Sequence, residues 1–204
     1  MTTATKIGRR GQEPVTETMA MRVSKEKVAE NHERILDEAA RLFRERGLSG
    51  VGVDALTEAA GLTYGSLYSH FGSKEALMAE AVTRAFAGFG IKMSATKSAA
   101  AFVEQYLSAE HRDGPGDGCA VAALGCEMSR QSKTVRRAFT EGAKGAMARL
   151  GARLPDEPSR EREDKAWAMI ATLMGAIVLA RAVDDPALSD RILSAARTRL
   201  GAAA

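Results

Sequence analysis

The stretch AGLTYGSLYSHFGSKEAL, residues 60–77, reads as a turn, a short helix rich in hydroxyls and aromatics, and the start of a new helix at Ser73. Gly61 supplies the tight turn, because glycine adopts positive φ without steric cost. The short helix spans about Thr63 to His70, and Gly72-Ser73 breaks it. Working outward, one more short helix fits Val53 to Ala60, with Leu56 and Ala60 turned inward. Before it, Gly47 ends an amphipathic helix whose Ile35, Ala39, Leu42 and Phe43 recur at helical spacing, with Lys, Glu and Arg opposite. Two short helices joined by a glycine turn and backed by a longer one form a helix-turn-helix, a shape that fits the DNA major groove.

A helix turns about 100° per residue. Leu67 and Phe71 therefore share one face of the short helix, and Gly65, Tyr68 and Ser69 fall on or near the other. Small hydroxyls and a glycine let a helix backbone approach base edges, and a tyrosine adds apolar contact to a thymine methyl. Ser66, His70 and Lys74 flank that face with a hydroxyl, a ring N–H and an ammonium, donors suited to phosphates. Lys74 also lies in the first turn of the next helix, where free N–H groups favour an anion. Lys25, in the basic opening of the long first helix, is a further phosphate candidate. On periodicity alone, the same segment reads equally as a short surface helix with a Tyr-His-Phe plug.

The segment from Asn31 to about Ala87 resembles the N-terminal domain of TetR-family transcriptional regulators. The residues that carry the resemblance are ERILDEAARLFRERG at 33–47 and AAGLTYGSLYSHFGSKEAL at 59–77. Gly61, Gly65, Leu67, Tyr68, His70, Phe71 and Lys74 stand at family positions. The resemblance implies a reading unit around 52–71. In it Tyr64, Gly65, Tyr68 and Ser69 match positions that reach bases, and Ser66, His70 and Lys74 match positions that reach phosphates. Five positions depart from the pattern. Gly52 and Val53 stand where many members begin the second helix with Thr or Ser. Asp54 puts an acid near the DNA face, His32 replaces a common basic residue, and Tyr64 is bulkier than usual.

Composition agrees with an all-α protein: Ala is the commonest of the 204 residues, Arg, Glu and Leu are frequent, and aromatics make up 5%. The formal net charge is only +3, and residues 1–80 are close to neutral. DNA contact must then rest on local placement of charge, which weighs against non-specific electrostatic binding. No apolar run approaches the roughly 18 residues of a membrane helix, the best candidate being residues 166–182, which ends near Arg181. The two cysteines, without a signal peptide, suggest a reducing compartment, so a cytoplasmic location is expected. His32, His70 and His111 are scattered, and no catalytic set, metal cluster, cofactor motif or phosphate loop is visible; no enzyme, cofactor or metal is expected.

Residues 1–21 read as a polar disordered tail carrying Arg9 and Arg10, residues 22–73 as the DNA-binding domain, and residues 74–204 as an effector-binding and dimerisation domain. Helices are expected over about 24–46 with Ser24 as cap, from Ser73 through Phe89, over 99–112, 120–130 and 134–154, over 159–183 with Ser159 as cap, and from Pro186 onward. The loop DGPGDG, 113–118, is the clearest breaker. A reading helix gains specificity when two copies sit on a two-fold axis, and the resemblance places the homodimer bundle in the last two helices. The helices between would form an effector chamber with Phe86, Phe89, Phe102, Tyr106, Cys119, Met128, Trp167 and Met174 as candidate lining, although each such residue also reads as plain core. Few charges fall among them, so a small apolar or aromatic effector is expected.

Cys119 and Cys126 both read as buried small hydrophobes by default, since seven residues along one helix would separate them by about 10.5 Å, too far for a bridge. Cys119 would open a helix, a position that favours the reactive thiolate, and its Gly-Cys resembles that of electrophile-sensing members of the family. The function expected is a ligand-responsive regulator, most simply a repressor, that binds a palindromic double-stranded DNA operator as a homodimer and is released by the effector. One alternative is a thiol-based sensor using Cys119; another is a partner-binding helical protein with an impaired DNA domain.

Overall fold

The computed structural model describes residues 15–156 and 158–201, and every regular element among them is helical. Helix α1 covers Val15–Arg46. It starts nine residues before the expected cap Ser24, so the tail reading is corrected for residues 15–21. The rest of that tail, with Arg9 and Arg10, lies outside the described residues. Ile35, Ala39, Leu42 and Phe43 are buried as their spacing requires, and the helix stops at Gly47, whose φ of 77° closes the turn.

Helix α2 (Val53–Ala60) ends on Gly61 at φ 61°. Helix α3 (Tyr64–Phe71) is capped by Thr63, whose hydroxyl accepts the Ser66 N–H at 3.4 Å. Helix α4 (Lys74–Lys92) is capped by Ser73, which accepts the Ala76 N–H at 3.1 Å. Leu56, Ala60, Leu67 and Phe71 are buried with the apolar face of α1 in the same core.

The segment expected as one helix over 99–112 is two, α5 (Ala99–Tyr106) and α6 (Ala109–Asp113). Ser108 turns to an extended conformation and its hydroxyl accepts the His111 N–H at 3.2 Å, so a new cap interrupts the old helix. The glycine loop holds a 3₁₀ turn, Pro115–Asp117. The next expected helix divides likewise into α7 (Ala120–Leu124) and a 3₁₀ segment, Gly125–Arg130. Helix α8 (Lys133–Gly151) is capped by Ser132. Helix α9 (Ser159–Ala182) opens with Pro158 rather than Ser159 in the cap position, and no side chain caps it. Helix α10 (Pro186–Gly201) has proline first and an Asp185 carboxylate that accepts the Ala187 and Leu188 N–H groups at 2.9 and 3.1 Å.

Helix α4 packs on α1 at its start and along α8 beyond, while α9 packs on α8 and α10. One buried apolar cluster runs through all of them. Arg84 on α4 clasps α1 through Glu33 and, at 3.0 Å, Asp37. Helix α9 is 24 residues long with a mean hydropathy of 1.4 over an 18-residue window, long and apolar enough by those measures to cross a membrane, contrary to the sequence expectation. Only 33% of that window is buried in the single chain.

Candidate nucleic-acid interface and effector cleft

The short helix α3 sorts its residues by face. Leu67 and Phe71 point into the core, whereas Tyr64, Gly65, Tyr68 and Ser69 are exposed and Ser66 and His70 are half-buried at the flanks. The Tyr64 and Tyr68 rings lie 5.1 Å apart with their hydroxyls at 3.5 Å, forming a paired aromatic ridge. The Tyr68 hydrogen bond holds the Tyr64 phenol above its ordinary pKa, so it stays a neutral donor and acceptor. Ser69 donates its hydroxyl to the Ser66 carbonyl at 2.8 Å.

His70 sits beside His32 of α1, ring centroids 5.7 Å apart, and His32 stacks on Phe71 at 4.5 Å. Burial, then the neighbouring His32, lowers the His70 pKa, so at neutral pH His70 offers an N–H rather than a charge. His32 faces Glu80 of α4 at 3.4 Å. Lys25 is exposed on α1. Lys74 is half-buried, and its ammonium donates to the Val51 carbonyl at 2.7 Å, tying α4 to the loop before α2. That bond gives Lys74 a positioning task beside the one expected of it. The missing cap of α2 is also plain: Gly52 takes the cap position with no side-chain bond, and Asp54 is exposed in the first turn.

About 27 Å along a 19-residue helix, the far end of α4 borders a cleft shared with α5, α8 and α9. The void is small, about 40 Å³. Of the expected lining residues, Phe86, Phe89, Phe102, Tyr106 and Cys119 meet there. Met128, Trp167 and Met174 do not line it: Met128 is core, Met174 lies near Gly125, and Trp167 is 41% exposed on the outer side of α9. Trp167 was expected inside because α9 is apolar on more than one face, so spacing alone does not choose the buried one. The expectation of few charges is also revised, since Arg149 and Arg153 line the cleft.

Cys119 is 6% exposed and both cysteines are free. Cys126 is exposed, not buried as expected, because the chain leaves α7 for the 3₁₀ segment before reaching it. Around Cys119 the glycine loop folds back. His111 accepts the Cys119 backbone N–H on Nε2 at 3.0 Å and meets the Tyr106 carbonyl through Nδ1 at 2.6 Å. Its ring packs against Tyr106 at 4.5 Å and Phe89 at 5.3 Å. The Cys119 thiol bonds to the Tyr106 hydroxyl, whose pKa is raised, first by burial and then by Cys119. His111 was scattered by sequence position; the one signal for it was DGPGDG, a glycine-rich reversal that returns the chain on itself.

Two further contacts join this region to the end of α1 and the turn after it. The Glu127 carboxylate accepts the Leu48 N–H at 3.1 Å and the Ser49 N–H at 3.3 Å. Arg44 of α1 donates to the Gly116 carbonyl at 2.6 Å. The turn after α1 is therefore held by the segment that follows α7.

Residues 35–81, which contain the C-terminal part of α1, all of α2 and α3, and the start of α4, match the family described as bacterial regulatory proteins, tetR family. That segment is of the TetR family. Over 109 residues the chain is 30% identical to the HTH-type transcriptional repressor DhaR of a Mycobacterium species, covering 51% of this chain and 55% of that protein. Over 130 residues it is 27% identical to the HTH-type transcriptional repressor NemR of Escherichia coli, covering 59% of this chain and 65% of that one. The matches thus span about half to two thirds of these relatives' length. The crystal structure of the reduced form of Escherichia coli NemR superposes with a TM-score of 0.69 at 26% identity, over 83% of this chain and 94% of that one. The all-α architecture and the N-terminal helix-turn-helix are those the sequence implied.

Proposed function

We propose that this chain is a cytoplasmic, ligand-responsive transcriptional regulator of the TetR family, a repressor, that binds a palindromic operator as a homodimer and works by binding rather than catalysis. The observation that carries the reading is the exposed face of α3, with Tyr64, Gly65, Tyr68 and Ser69 outward over a buried Leu67 and Phe71. Those four would reach base edges, while Lys25, Ser66, His70 and Lys74 would hold phosphates. The division of labour falls near Ser73, with residues 22–73 reading DNA and 74–204 binding effector and partner. The largely unburied apolar face of α9 supports a second copy as its cover, since an exposed patch of this kind marks an interaction surface.

The cleft beside Cys119 would take a small effector with apolar or aromatic character. Its void is far below the roughly 300–1,000 Å³ of a working ligand site, so the effector must part α4 from α8 and α9. That parting moves α4, which begins at Lys74 beside the reading unit and ends on the cleft wall. Effector and operator then compete through two arrangements of one helix, and the coupling is reciprocal. The test is selection of bound DNA from a random library at two salt concentrations. Enrichment of one inverted repeat, lost in Tyr68→Ala, is the expected result. The Tyr68 side chain is exposed, so this variant leaves the core intact. Binding blind to sequence would overturn the proposal in favour of a partner-binding protein with an impaired DNA domain.

A second reading, thiol-based sensing, is favoured by the Cys119 thiol bonded to Tyr106 in the cleft wall and by likeness to a protein solved in a reduced form. Modifying the thiol adds volume where the void has little, so it would act as a bound effector does. Cys119→Ser is expected to abolish DNA release by a thiol-alkylating agent; an unchanged response would leave only the first reading.

A further inference from the structure

We infer that the cleft binds an amphipathic anion, an apolar chain or ring bearing a carboxylate, with the carboxylate held by Arg149 at the mouth. The inference rests on the effector role proposed for the cleft and names the chemistry of its ligand. The lining is largely apolar, and its only charged groups are Arg149 and Arg153; no Asp or Glu lines it.

The two arginines differ. Arg153 is fixed in the wall: it donates to the Thr96 carbonyl at 3.0 Å and the Met93 carbonyl at 3.1 Å, and its guanidinium lies 5.8 Å from the Phe102 ring centre. Among the described residues, the Arg149 guanidinium has neither a carboxylate nor a carbonyl partner. It is nonetheless seated. A Cβ placed on Gly90 would come within 3.2 Å of its Cζ and Nη2, and one on Gly145 within 3.3 Å of its Nη1. Two glycines, one on α4 and one on α8, thus leave the room that brings this cation against the helix at the cleft's rim.

An arginine placed by shape rather than by an ion pair keeps its planar fork of donors for a planar anion. A cationic ligand would meet two like charges. A neutral apolar ligand would strip water from the guanidinium without replacing it, which is unfavourable. A carboxylate with an apolar body satisfies both ends, the body among Phe86, Phe102 and Leu173 and the head on Arg149. Because Arg149 is in contact with solvent, screening holds the expected preference to about tenfold rather than the hundredfold of a buried pair.

The experiment is calorimetric titration of the full-length protein with matched pairs, dodecanoate against dodecan-1-ol and 4-phenylbutyrate against 4-phenylbutan-1-ol, for wild type, Arg149→Gln and Arg149→Lys. The expected result is that the acid of at least one pair binds about tenfold tighter than its alcohol. That preference should vanish in Arg149→Gln and partly return in Arg149→Lys, with unliganded melting temperatures unchanged. Alcohols that bind as tightly as their acids, a preference that survives Arg149→Gln, or acids that fail to bind in both pairs would each overturn the inference. Operator affinity measured alongside separates the two claims. An acid that binds through Arg149 and leaves DNA affinity unchanged sinks the effector role while the anion site stands. DNA release by the alcohol alone does the reverse.

Discussion

His111 has an imidazole whose two nitrogens are both committed. Nε2 accepts from the Cys119 backbone, which requires the proton on Nδ1, where the Tyr106 carbonyl receives it. Burial lowers its pKa from the ordinary 6.5 to about 4, Arg181 and Lys92 push the same way, and the Tyr106 bond opposes them. The sign follows from proton uptake. Between pH 6.5 and 4 the unfolded chain binds a proton that the folded one refuses, so stability present above 6.5 is lost as pH falls. Two to three pKa units correspond to about 3 kcal/mol at the acid end. Urea unfolding at pH 7 and 4.5 should show wild type losing about 2–3 kcal/mol more than His111→Gln over that interval. Equal losses in the two proteins would show that His111 titrates normally. Sequence alone shows nothing of this, because the partners of His111 are two backbone groups brought near by a loop reversal. The outward placement of Gly65, Tyr68 and Ser69 was legible, because it follows from helix rotation within eight residues, whereas Tyr64 was marked only by the family resemblance.

At the scale of elements, the helix-turn-helix was recoverable because breaks punctuate it: Gly47, Gly61 and Gly72 as ends and Ser73 as a cap. The middle of the chain was not, because short helices there are set by local competition that periodicity does not see. Ser108 takes a cap in the midst of an apolar pattern, and α7 gives way to a 3₁₀ segment within five residues. In the proposed switch that segment would take part in coupling, since it carries Glu127. Its carboxylate grips the Leu48 and Ser49 N–H groups, and a Cβ at Gly47 would collide with it at 2.4 Å. Glu127→Ala should cost about 1–3 kcal/mol of stability. It should also lower, by about threefold or more, the factor by which effector weakens operator binding, a factor of about 5–150 in coupled systems. Fluorescence anisotropy with and without effector reads it. A factor equal to wild type would exclude this contact from the coupling path.

For the whole molecule, the single chain leaves apolar surface uncovered. Leu179 is 58% exposed, and Trp167 lies on the same helix with more than a third of its surface free. The sequence marked α9 as apolar but not how much of it the monomer fails to bury, a quantity that depends on how α8 and α10 sit. Leu179→Glu places a charge on that face. Sedimentation should show the variant as a monomer. Operator affinity should fall by about a hundredfold or more, because linking two half-site contacts multiplies affinity by about 10²–10⁴. A dimeric Leu179→Glu would move the interface elsewhere.

Trp167 is the only tryptophan in the chain, and it stands exposed on α9 rather than in the cleft. Its emission therefore reports the solvent around α9 with no second indole to obscure it. On dilution through the association range the spectrum should shift to longer wavelength, giving a dissociation constant from unlabelled protein. The same signal should stay nearly silent when a ligand enters beside Cys119. Association and effector binding then have separate optical readouts in one cuvette.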